Sequence, residues 1–151
     1  MKLNDYYKQL INQEINKVYP RVKDNYHIAI HNNSRVIPNG MAYTCIYMKY
    51  NKYKRGKIIF NIAKMKEYAN KYSITMDNVI KENVYHEIQH SLQFDYLLSK
   101  YSIETITKFW NIQEFKQLLE EQANSSGKKY LLEYDMRLLD YFWGWYNSVC
   151  R

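Results

Sequence analysis

Val84-Tyr85-His86-Glu87-Ile88-Gln89-His90-Ser91-Leu92, residues 84–92, sets two histidines four apart with a glutamate directly after the first. On an α-helix, residues four apart lie one above the other on the same face. The apolar residues around the pair follow helical spacing: Val84, Ile88 and Leu92 make one stripe, and Val79, Phe94 and Leu97 flank the histidines further out. A helix apolar on two sides is a buried one. Two neutral imidazoles facing inward from it need partners, because unpaired buried polar groups are costly. A metal ion is such a partner. Zn²⁺ takes His nitrogen at about 2.0–2.1 Å, and a glutamate next to the first histidine can accept a proton from water that zinc has acidified. On this reading His86 and His90 are metal ligands and Glu87 is a general base. The plainer alternatives are hydrogen-bonded core histidines with Glu87 at the surface, or a degenerate site that keeps the fold without the metal.

Working outward, the helix is expected over 77–99, with Thr75 and Asp77 both suited to cap its start. Upstream, Leu3, Tyr6, Tyr7, Leu10, Ile11, Ile15 and Val18 recur at three- and four-residue spacings and predict an amphipathic helix over 3–18, stopped by Pro20. Tyr26–His31 alternates as a short strand. Pro38-Asn39-Gly40 signals a turn, and Met41–Tyr50 reads as a second strand. The Lys/Arg/Gly stretch 51–57 turns the chain into a third strand, Lys57–Ile62, and 64–71 is a short helix. Downstream, helices are expected over 103–123 and 128–148, separated by a break at Ser125-Ser126-Gly127. The class is α+β: an N-terminal helix, a small three-stranded mixed sheet, then the histidine-bearing helix and two further C-terminal helices.

A hydrolytic zinc site takes three protein ligands and keeps one position open. Candidates for the third are Glu104, Glu114, Glu120, Glu121, Glu133, Asp135 and Asp140. Glu133 and Asp135 stand out, because they lie inside a strongly apolar helical pattern where a charge should have a reason to be. Burial favours Asp135, which falls within the apolar arc; an open cleft favours Glu133 at its polar edge.

A chain of 151 residues is expected to be one domain, 1–151. The net charge of +7 admits an anionic partner such as nucleic acid. The basic residues are dispersed, however, and the densest group, Lys49, Lys52, Lys54, Arg55 and Lys57, reads as a solvated hairpin loop. Two cysteines, Cys45 in a strand pattern and Cys150 near the end, suit a reducing compartment better than a disulfide framework. No run of about 18 apolar residues predicts a membrane span, and residues 1–8 lack the apolar stretch of a signal peptide. A cytoplasmic protein is the expectation.

The His86-Glu87-Ile88-Gln89-His90 motif, after a short mixed sheet, resembles the zincin superfamily, and more narrowly the small HExxH proteins of the ImmA/IrrE and phage or mobile-element kind. In those a later helix carries a Glu-x-(Glu/Asp)-Ala-like motif whose first Glu is the third ligand. Here Glu133-Tyr134-Asp135-Met136 stands in that place, with Met136 where a small residue is usual, so the resemblance implies Glu133. It also implies an edge strand that binds an extended peptide substrate, for which Gly40–Tyr47 is the candidate. The function so implied is a zinc-dependent metallopeptidase acting on a peptide or protein. The alternative is a catalytically inactive module of the same fold that binds a protein or nucleic-acid partner.

Overall fold

The computed structural model describes residues 2–32, 40–49 and 52–149. Helix α1, Leu3–Val18, turns Ile11 and Ile15 into the core and ends before a 3-10 turn at Pro20–Asp24, where proline cannot continue the ladder. Strands β1 (Tyr26–His31), β2 (Ala42–Lys49) and β3 (Lys52–Asn61) form a three-stranded sheet in the order β1-β3-β2. β1 runs parallel to β3 and β2 antiparallel to it, so the sheet is mixed, and among the described residues β2 is paired on one side only. Gly56 lies opposite Tyr26 in this register, and a Cβ there would meet the Tyr26 ring at 2.2 Å. The glycine lets the ring lie flat on the strand.

Asn61 then accepts from the Lys64 N–H and caps helix α2, Ile62–Tyr72. Ser73 ends it in the left-handed conformation. Thr75, rather than Asp77, caps the long helix α3, Met76–Lys100, by accepting from the Asn78 N–H. α4 (Ile103–Trp110), α5 (Gln113–Lys129) and α6 (Arg137–Val149) complete the chain. The core has two parts. Ile58, Phe60, Ile62, Met65, Val84 and Ile88 belong to a cluster shared by α1, the sheet and α2. Phe94, Leu97, Phe109, Phe115 and Leu139 form a second cluster under α4, α5 and α6. Full burial of each such side chain stabilises by about 1.5–3 kcal/mol. α3 contributes to both clusters, its first half to one and its second half to the other.

Four sequence expectations change. The basic stretch 51–57 is not a loop from Lys52 onward, where β3 begins; residues 50 and 51 lie outside the described residues, as do Pro38, Asn39 and Cys150. The helix expected over 103–123 is two helices, because the chain turns at Asn111 and Ile112. The break expected at Ser125-Ser126-Gly127 is absent. α5 continues through it to Lys129 and stops at Tyr130, which takes a φ of 51°. Residues 131–136 are not helical, so three helices follow α3 and the last starts at Arg137 rather than 128. Small residues serve close packing here: a Cβ on Gly127 would lie 2.8 Å from the Glu82 carbonyl oxygen of α3. Among the described residues, no helix is long and apolar enough to cross a membrane.

Candidate metal centre

α3 carries His86 and His90 on one face, with ring centroids 4.9 Å apart. One ligand atom from each of His86, Glu87 and His90 lies within 4.8 Å of the others, a group that could hold a metal ion. α5 packs against this face and brings Glu120 to it. One Glu120 oxygen is 2.8 Å from His90 Nε2 and the other 3.4 Å from His86 Nε2. The two imidazoles therefore present the same ring nitrogen to one carboxylate, and His90 Nδ1 faces Gln93 instead. Glu120 is 57% exposed and His90 9% exposed at the side chain, so the group straddles core and solvent.

Electrostatics follow from this placement. Glu87 is buried at 3% exposure, and burial pushes its carboxyl upward, against the opposing pull of both imidazoles and Thr44. Thr44 on β2 donates its hydroxyl to Glu87 Oε1 at 2.9 Å, with the Glu87 carbonyl at 3.2 Å. Hydrogen bonds to His86 and His90 hold Glu120 well below the usual carboxylate range. Burial opposes charge on His90, but the Glu120 hydrogen bond and the Glu87 charge outweigh it and raise the imidazole.

The donors line a cleft of about 360 Å³ whose lining also includes the apolar Phe94, Trp110 and Leu119 and the basic Lys116. A second cleft of about 360 Å³ opens on the other side of His86 and Glu87, and it is polar: Glu82, Asn83, Asn124 and Lys128. Ala42, at the start of β2, borders both.

The structure does not bring Glu133 to the imidazoles. Its carboxylate accepts from the Asp135 N–H at 2.8 Å and lines a separate cavity with Gln122 and Arg137. Its backbone is clamped by Gln89, which lies on another side of α3. Asp135, the other candidate, pairs with Arg137 at 2.5 Å, which draws its carboxyl down to about 2. The expectation for both rested on a helix over 128–148, and residues 131–136 are not helical. Glu120 was one of seven carboxylates considered. What marks it is its place beside Leu119, on the edge of the buried stripe Phe115, Leu119, Ala123 and Ser126. Merging α4 and α5 into one helix hides that stripe. Thr44 carries no sequence signal of its own beyond its place in a strand.

No protein-family model matches the chain, and no curated protein or solved structure matches it.

Proposed function

We propose that the chain is a zinc-dependent metallopeptidase of zincin type, with His86, His90 and Glu120 as ligands and Glu87 as general base. The observation that supports this best is the convergence of two α3 imidazoles and one α5 carboxylate beside a buried glutamate, on the floor of a two-sided cleft. Two nitrogens and one carboxylate oxygen are a donor set that zinc takes while keeping a position open. When bound, zinc supplies a Lewis acid and lowers the pKa of a water molecule toward 7.

Glu87 would be the general base there, its carboxylate placed to take a proton from an attacking water and to pass it to the leaving amine. Thr44 keeps the Glu87 carboxylate aimed, since its hydroxyl occupies one carboxylate oxygen and leaves the other toward His86, 3.7 Å away. The substrate is an extended peptide that adds to the free edge of β2, with a large apolar side chain against Phe94, Trp110 and Leu119 and a polar one on the other side. Lys116 is the group on the cleft wall that meets negative charge developing on the carbonyl oxygen.

The test is elemental analysis of wild type beside His86→Ala, followed by peptide-library cleavage with wild type beside Glu87→Gln. About one zinc per chain, lost in the histidine variant, with cleavage abolished but zinc kept in Glu87→Gln, supports the reading. Zinc without cleavage, and a partner bound equally by wild type and Glu87→Gln, favours the inactive binding module instead.

A further inference from the structure

Three glutamine side chains run between α3 and α5 directly behind the imidazoles. Gln89 and Gln93 are fully buried at 0% exposure, where an unpaired amide costs about 1–3 kcal/mol. Neither is unpaired. Gln93 donates one N–H to the Leu119 carbonyl at 3.0 Å and the other to Gln122 Oε1 at 2.8 Å. An amide nitrogen has two hydrogens, so both are committed, and its oxygen is left facing His90 Nδ1 at 2.8 Å. Gln122 Oε1 accepts again from Gln89 Nε2 at 3.2 Å. Gln89 in turn donates to the Glu133 carbonyl at 2.9 Å, and its oxygen accepts from the Glu133 N–H at 2.7 Å and from Ser126 at 2.8 Å.

Backbone groups fix the direction of the whole row. The carbonyls of Leu119 and Glu133 can only accept, and the Glu133 N–H can only donate. Turning the Gln93 amide over would set its oxygen against the Leu119 carbonyl oxygen. Turning Gln89 over would set its NH₂ against the Glu133 N–H. With the amides so pinned, Gln93 Oε1 can only accept, so a hydrogen belongs on His90 Nδ1 2.8 Å away, and Nε2, which faces Glu120, is the nitrogen that a metal ion shared with Glu120 would take.

We propose that Gln93 is a positioning residue of the metal centre. It locks His90 in the Nδ1–H tautomer and ties that ring to Leu119, the residue directly before Glu120. One buried side chain thus sets the imidazole ligand on α3 and the carboxylate ligand on α5 relative to each other. The inference rests on the metal-centre reading, and a second coordination layer of this type changes metal affinity about 10–100-fold.

Two measurements test it. In ¹⁵N-histidine NMR of the zinc-loaded wild type, the expected His90 signal is a protonated Nδ1 and a metal-bound Nε2; a metal-bound Nδ1 with a protonated Nε2 overturns the proposal without any variant. Zinc affinity is then measured by chelator competition for wild type, Gln93→Met and Val79→Ala, the last a core truncation near the start of α3 that controls for lost stability. Gln93→Met is expected to bind zinc 10–100-fold more weakly and Val79→Ala like wild type. Equal affinity in Gln93→Met and wild type overturns the positioning role while leaving the metal centre standing, as does equal weakening in both variants. A wild type that takes up no zinc removes both.

Discussion

At 3% exposure, Glu87 could serve as the proposed base only because something else is nearby to stabilise its charge. Thr44 and the two imidazoles do this, and Thr44→Val should expose how much of it is the hydroxyl. A hydrogen bond to a charged group is worth about 1.5–3 kcal/mol, so peptide cleavage should fall roughly 10–100-fold with zinc content unchanged, as read by steady-state kinetics beside elemental analysis. A comparable pair of variants separates the third ligand from its rival. Glu120→Gln should weaken zinc by more than the roughly 100-fold reserved for outer-layer partners, whereas Glu133→Gln should leave it intact. The reverse result in a chelator competition would restore Glu133. At this scale His86, Glu87 and His90 were legible because their spacing within one helix fixes their relation. Glu120 was not, since its approach depends on how a second helix crosses the first.

Between elements, the sharpest contacts hold α6 and α5 to α3. Asp140 of α6 accepts from Tyr101 and Lys100 of the α3 end, each at 2.6 Å, and from Tyr96. Burial works against its charge, but these donors outweigh it and hold the carboxyl below the ordinary 3.8. A depressed folded-state pKa gives stability that is present above the unfolded value and lost as pH falls through the folded one. Asp140→Asn should therefore cost about 1–3 kcal/mol at pH 7, and the difference from wild type should shrink below pH 3.8 in urea titrations. Gly127→Ala should also destabilise, by about 1–3 kcal/mol, because its Cβ would press on the Glu82 carbonyl at 2.8 Å beside His86; the melting temperature reads this directly. Local signals explain which elements were legible. α1 and α3 have full apolar stripes and clear stops. Ser125-Ser126-Gly127 carries turn chemistry, yet tertiary packing overrides it, since only small residues let α5 lie this close to α3. Beyond Tyr130 an apolar sequence imitates a helix, while Gln89 takes up both the N–H and the carbonyl of Glu133.

Across the molecule, the candidate metal centre lies where the two core clusters meet along α3, with Ile88 in one and Phe94 in the other. A ligand bound by both α3 and α5 stabilises only the folded chain. At free zinc a thousandfold above its dissociation constant the gain is about 4 kcal/mol, and for a chain of this size the melting temperature should rise by roughly 8–16 °C. A thermal scan with zinc and then with a chelator checks this; an unchanged melting temperature would mean that the ion does not bridge the helices. The free edge of β2 has a consequence of another sort. A row of backbone groups open to one extended chain is open to any, including a strand of a neighbouring molecule. Concentrated protein without an occupant at that edge should be prone to sheet-type aggregation, and a peptide lying along β2 would protect it.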